Sequence, residues 1–177
     1  MSIVYRDATV ADAGALAVIG ARTFTATFGH LYSPANLAIF LEHHTPERWA
    51  KAIATDATVH LAEVDGEAVG YARIGPLTFD VERHGRAGVQ LYQLYVDPPW
   101  HGSGVAVTLR DWAIATARAH GAVDLWLSVY IDNPRARRFY ARAGFVEVMP
   151  YTFWVGDHAD DDIICRLALD DSRERPA

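Results

Sequence analysis

Cysteine is nearly absent, since the 177 residues include one, Cys165. A single thiol cannot close an internal disulfide, so the chain is not a stapled secreted scaffold; an apolar alternating setting makes Cys165 a buried, inert thiol. Long apolar runs are missing as well. Nothing approaches the about 18 consecutive apolar residues of a membrane span, and Met1 to Gly14 has no basic stretch leading into an apolar one, so a cytoplasmic protein is expected. There is no excess of positive charge: the formal net charge is −6 and the pI about 5.7. That balance speaks against a nucleic-acid polyanion as main partner and is compatible with a cationic one. The residues whose scarcity marks disorder are plentiful, with 51% hydrophobics and 11% aromatics. Without internal repeats or a linker, residues 1–170 read as a single domain. The charged end, 171–177, reads as a frayed tail.

Ile3 to Asp7 alternates like a short strand, and Thr9 with Asp12 three residues on is a helix-start signature. Leu16, Ile19, Gly20, Thr23, Phe24 and Thr27 follow at helical spacing. Ser33-Pro34 and Thr45-Pro46 repeat the start signal, so the first third is mostly helical. The period then switches to two: Thr58 to Val64 and Glu67 to Ile74 form a hairpin around Asp65-Gly66. A polar loop from Phe79 to Gly88 precedes a strand, Val89 to Val96, which Pro98-Pro99 ends. A helix from Val105 stops at Gly121, Val123 to Val129 is a strand, and Pro134 to Ala143 is a helix that Gly144 ends. Phe145 to Met149, Thr152 to Val155 and Ile163 to Leu169 complete an α/β (α+β layered) domain with a mixed, mostly antiparallel sheet.

Chemistry concentrates in two segments. In the first, a strand ending Leu94-Tyr95-Val96 leads through Asp97-Pro98-Pro99-Trp100 into His101-Gly102-Ser103-Gly104-Val105-Ala106 at a helix start. Two glycines before a helix let backbone approach a ligand, and the free N–H groups there suit an anion such as phosphate; the same glycines serve equally well in a turn that only reverses the chain. No Lys-Ser/Thr follows them, which excludes a P-loop, and Gly-x-Gly is not extended to the dinucleotide-binding pattern. In the second segment, Asn133 and Tyr140 lie about two turns apart on one helix face with small Ala136 between them, room for a slim ligand. Asn133 reads also as a plain N-cap and Tyr140 as a core aromatic.

In this order and spacing the segments resemble the GNAT (N-acetyltransferase) superfamily over nearly the whole chain, on Leu94-Tyr95-Val96, His101 to Ala106, Asn133, Ala136, Phe139-Tyr140 and Gly144-Phe145. The front, Thr23 to Pro34, together with Trp126, Phe153 to Asp157 and Asp162 to Ile164, is similar to a bacterial branch that includes polyamine N-acetyltransferases. The resemblance implies a fold whose central parallel strands, Val89 to Val96 and Val123 to Val129, splay apart, with helices on both faces. It implies acetyl-coenzyme A as co-substrate, its pyrophosphate on the turn amides and its pantetheine in the splay, and no metal. Leu94, Tyr95, Val96, His101, Gly102, Ser103, Gly104, Val105, Ala106, Asn133, Ala136 and Tyr140 are then the cofactor-binding residues. Tyr140 also becomes the general acid that protonates the departing sulfur, and a backbone N–H near Tyr95 holds the thioester oxygen.

The implied acceptor is a primary amine of a small molecule, with His30, Tyr32, Glu82 and Gln90 as candidate contacts. A peptide N-terminus or protein lysine, a non-catalytic acyl-coenzyme A sensor, and a homodimer through the terminal strands remain open. Two positions depart from the pattern. Gln90 stands where many relatives carry glutamate, and an amide cannot take a proton. His101 stands where Gln or Arg is usual; donating to phosphate, it would weaken coenzyme A binding as pH rises. Asp80, Glu82, Asp157, Asp160, Asp161 and Asp162 read as solvated surface, with an amine-binding patch as the alternative. His60 reads as structural, and His43-His44 lacks the partners of a metal site.

Overall fold

The structure is a computed structural model describing residues 2–170. The expected frayed tail, 171–177, lies outside the described residues. Strand β1 (Val4–Asp7) leads through a capping box between Thr9 and Asp12 into α1 (Ala13–Phe28). Helices α2 (Pro34–Leu41) and α3 (Pro46–Thr55) each start on a hydroxyl, with Ser33 accepting from the Asn36 amide and Thr45 from the Arg48 amide. In both, proline stands in the first turn, where its missing N–H is not needed. The hairpin of β2 (Thr58–Val64) and β3 (Glu67–Pro76) turns at Asp65 and Gly66, whose φ values of 51° and 83° are those of a type I′ turn. Then come β4 (Gly88–Val96), α4 (Val105–Ala119), β5 (Asp124–Tyr130), α5 (Pro134–Arg142), β6 (Val146–Val155) and β7 (His158–Ala168).

The strands form one sheet in the order β1-β2-β3-β4-β5-β7-β6. Only β4 and β5 pair in parallel, so the α/β, mostly antiparallel expectation holds. The last two strands are longer than the apolar pattern predicts. β6 is one strand rather than two because it is the sheet's edge, where Pro150 is tolerated. β7 begins at His158 rather than Ile163 because Asp160 and Asp162 are inward-facing members of it. The terminal strands of the expected homodimer thus end the sheet at β6, where Val146, Val148, Met149 and Trp154 are exposed.

Alternation along the strands feeds two cores. Ala62, Val64, Ala72 and Ile74 meet Val105, Leu109, Ala113 and Ala117 of α4 on one face. Their chain neighbours Leu61 and Tyr71 meet Leu16 and Ile19 of α1 and Trp49 of α3 on the other. A third cluster seats the α1–α2 corner on the end of β6 through Phe24, Tyr32 and Val155. Among the described residues no helix is long and apolar enough to cross a membrane.

Helix α1 is crowded at Gly20, where a Cβ would overlap His44 Nδ1 and stand 3.0 Å from the Tyr71 hydroxyl. His44 cannot retreat easily, being 6% exposed, and burial keeps it neutral by lowering its pKa to about 4. Alanine favours an open helix position over glycine by about 1 kcal/mol, yet Gly20→Ala is expected to destabilise this protein. Thermal unfolding would read a lower Tm, and His44→Ala in the same chain should recover part of the loss.

Candidate active site between two parting strands

The parallel pair is short. Gly88, Val89 and Gln90 pair with Asp124, Leu125 and Trp126, and the ladder stops there. Beyond it β4 stays on β3 as far as Val96 and β5 stays on β7 as far as Tyr130. The two strands therefore part, leaving facing backbone edges without a sheet partner. The register of β3 against β4 shifts beside this point, where Tyr92 is the extra residue of a bulge, a device that adds local twist. A cavity of about 470 Å³ fills the opening, walled by Leu91 to Val96 and Leu127 to Tyr130 and roofed by Thr23, Phe24, Thr27, Phe28 and Tyr32.

One end of the cavity lies against the start of α4. Gly102 and Gly104 have φ of 81° and 92°, and a Cβ at either would meet nothing within 4 Å, so backbone conformation rather than space selects glycine. Helix α4 starts on Gly104 with no side-chain cap, which leaves its first-turn amides without an internal partner beside Ala106 and Val107 of the lining. Helix α5 differs: Asn133 Oδ1 accepts from the Ala136 amide at 3.1 Å, yet Asn133, Ala136 and Tyr140 all line the cavity. Leu94, Tyr95, Val96, His101, Gly102 and Gly104 line it too. Ser103 and Val105 do not; Ser103 Oγ donates to the Trp100 carbonyl at 2.7 Å and Val105 is wholly buried in the core, so both shape the turn.

The His101 ring is fixed in one tautomer. Nε2 lies 2.8 Å from the Val96 carbonyl, which can only accept, so the proton is on Nε2. Nδ1 lies 2.9 Å from Arg135 Nη1, which can only donate. The ring thus holds Arg135 at the mouth of the α4 end. In the run Arg135, Arg137 and Arg138 the sequence marks none as special. The fold separates them: Arg137 Nε turns to Glu147 at 2.8 Å, whereas Arg135 lines the cavity. Uncapped amides, two glycines and Arg135 fit a pyrophosphate.

Deeper in, the Tyr140 ring packs on Phe139 and Phe145, and its hydroxyl has no hydrogen-bond partner among the described residues. Burial pushes its pKa well above that of an ordinary phenol, so it stays protonated. Of the candidate acceptor contacts, Tyr32 alone lines the cavity, donating from its hydroxyl to Asp160 Oδ2. Gln90 is buried outside the lining, accepting at Oε1 from the Thr78 amide at 3.0 Å and the Thr78 hydroxyl at 2.9 Å. His30 is exposed on the turn after α1, and Glu82 is exposed in the loop before β4, 3.3 Å from His84.

The acidic residues near the chain's end divide by strand parity. Asp157 and Asp161 are exposed, whereas Asp160 and Asp162 are buried and line the cavity. Their phase with Ile164 is the signal that marks them as inward-facing. Ser128 Oγ donates to Asp162 Oδ2 at 2.8 Å, and burial raises the Asp162 pKa to about 6. His60 sits elsewhere, 2.6 Å from Asp7 and stacked on Trp112, as a structural residue. Burial pushes the Cys165 thiol up to about 11. Among the described residues no group of three or more His, Cys, Asp or Glu side chains could hold a metal.

An uncapped helix start and a protonated phenol thus line one cavity between the parted strands. The model of the acetyltransferase (GNAT) family matches residues 25–145, and the chain belongs to that family as an acetyltransferase. An uncharacterized N-acetyltransferase of Mycobacterium tuberculosis is 34% identical over 155 residues, covering 86% of this chain and 95% of its own length. The PaiA N-acetyltransferase of Thermoplasma acidophilum, crystallised with coenzyme A, superposes with a TM-score of 0.77 at 20% identity, covering 95% and 99% of the two chains. The ribosomal-protein-S18-alanine N-acetyltransferase of Escherichia coli superposes with a TM-score of 0.70 at 18% identity, covering 99% of each.

By accepting from Arg135, the His101 ring keeps a fixed positive charge at the mouth of the cavity, so in Arg135→Ala the affinity for coenzyme A, read by calorimetric titration, should drop about tenfold or more.

Proposed function

We propose that the protein moves acetyl from acetyl-coenzyme A to a primary amine of a small molecule, such as a polyamine, by direct attack with Tyr140 as general acid. The observation that carries this reading is the continuity of one cavity from the uncapped start of α4 to the unpartnered Tyr140 hydroxyl. When bound, acetyl-coenzyme A supplies an activated acyl group. The first-turn amides of α4 and Arg135 hold its pyrophosphate, and the β4 backbone edge near Tyr95 offers an N–H to the thioester oxygen. Phe139 and Phe145 hold the Tyr140 ring in place, which lets its hydroxyl give a proton to the departing sulfur. Burial raises the phenol's pKa, but a thiolate forming in the same dry site is raised by the same desolvation, so the transfer remains matched. The roof over the acceptor end, Phe24, Phe28 and Tyr32, favours a slim molecule over a folded protein surface.

Thiol release from acetyl-coenzyme A, measured against polyamines, aminoglycosides, amino acids and short peptides, tests the reading. Saturable release is expected with a small amine; release only with peptides would move the acceptor class, and none with any amine would favour a coenzyme A sensor. Tyr140→Phe should keep coenzyme A affinity and lower kcat by about 100-fold or more; wild-type kcat across pH in a folded variant would remove Tyr140 from the acid's role.

A further inference from the structure

The geometry points to Asp162 as the proton acceptor for the incoming amine, with Asp160 beside it completing a carboxylate pair that binds the acceptor as an ammonium. This rests on the acetyl-transfer reading above and names the base that the reading leaves open. Gln90, in the slot where a base is expected on β4, has its oxygen occupied by Thr78 and lies outside the cavity. The two carboxylates reach the same cavity from the opposite side, on β7, where residues 160 and 162 share a face.

The pair is uneven. Asp160 has both oxygens engaged, one by the Tyr32 hydroxyl and the other 3.2 Å from His158 Nε2. Asp162, 8% exposed, accepts one hydrogen bond, at Oδ2 from Ser128, and its Oδ1 has no partner among the described residues. The groups that act on it from the surrounding elements are Asp160 and Asp161 of β7, Tyr32 of the α1–α2 corner, Tyr95 of β4, Tyr130 of β5, and Cys165. His158, further along β7, faces Asp160. No lysine or arginine among the described residues pairs with it. A buried carboxylate with a free oxygen and no cation is a site that a cationic ligand completes. Burial, opposed by the Ser128 hydrogen bond, raises Asp162 to about 6, so at neutral pH it is mostly ionised and able to take a proton.

The step balances as follows. R–NH3⁺ gives one proton to Asp162 and becomes R–NH2, whose lone pair forms the C–N bond at the thioester carbon. The C–S bond breaks, and the thiolate takes the Tyr140 proton. The nitrogen's second proton restores Tyr140, and the proton on Asp162 returns to solvent. Desolvation lowers the ammonium's pKa while it raises the carboxylate's, which narrows the gap across which the first transfer runs.

The test compares wild type, Asp162→Asn and Ser128→Ala, each bound to coenzyme A for binding and supplied with acetyl-coenzyme A for turnover, with spermidine, putrescine and propylamine as probes. Asp162→Asn keeps an acceptor for Ser128 but cannot take a proton, and kcat/KM should fall by about 100-fold or more, with loss of the acid limb expected of wild type near pH 6. Ser128→Ala, which removes the donor that stabilises the ionised form, should move that limb upward. Calorimetry at pH 6 in two buffers of different ionisation enthalpy should show proton release when a probe amine binds wild type, and none with Asp162→Asn. An Asp162→Asn variant with wild-type kcat/KM and pH profile would overturn the proposal while leaving the acetyltransferase reading intact. Asp162-dependent binding and proton release without turnover of any probe would sink that reading and keep the carboxylate site. If no probe binds in a way that depends on Asp162, the proposal fails.

Discussion

Two parallel strands stop pairing after three residues each, and the chemistry of the molecule depends on that interruption. Where β4 and β5 remain joined the sheet is reinforced: Arg86 Nε reaches Asp124 Oδ2 at 2.7 Å, and its Nη2 reaches Asp170 at 2.9 Å, fastening the loop before β4 to the start of β5. Gly88 lets the Trp126 ring approach so closely that a Cβ would stand 3.0 Å from Nε1. Gln90 then anchors the preceding loop through Thr78. Gln90, the last joined residue of β4, is thereby committed to the sheet rather than to the cavity.

The cavity is polarised along its length. At one end the uncapped start of α4 and Arg135 present positive potential, and at the other two carboxylates present negative potential, with Tyr140 among aromatic rings between them. On the proposed reading, opposite fields at the two ends would suit an anionic carrier at one and a cationic acceptor at the other. The elements that carry them are rigid: α4 is locked by Val105, Leu109, Ala113 and Ala117, all wholly buried, and β7 lies between two neighbouring strands.

The sequence was most legible where local chemistry dictates geometry. Ser33-Pro34 and Thr45-Pro46 start helices, Asp65-Gly66 turns a hairpin, and Gly102 with Gly104 opens α4, each as its residues require. It was least legible where the fold assigns different tasks to like residues. Nothing in the run from Arg135 to Arg138 shows that Arg135 faces the cavity while Arg137 bonds Glu147; the helix phase and the neighbouring strand decide it. The four aspartates from Asp157 to Asp162 read as surface because acidic runs usually are, yet alternation along β7 buries two of them. Phe145 to Met149 and Thr152 to Val155 read as two strands because the pattern does not show that β6 lies at an edge, where Pro150 can sit within one strand. For His101 the residue type was visible but the proton's position was not, since it depends on a carbonyl five residues earlier.

The pairing of β6 with β7 shifts register between Glu147 and Met149, leaving Val148 as an extra residue on the edge strand. Chain-length variation is therefore tolerated unequally in the two neighbours. Deleting a residue at the bulge of β6 would only restore a regular ladder at the rim of the sheet. One residue gained or lost within β7 ahead of Asp162 would invert which aspartates face inward, placing Asp161 where a carboxylate now meets the cavity and turning its neighbours out to water. Insertions and deletions in descendants of this sequence should thus collect in β6 and spare β7, an asymmetry of drift that follows from pleat parity alone.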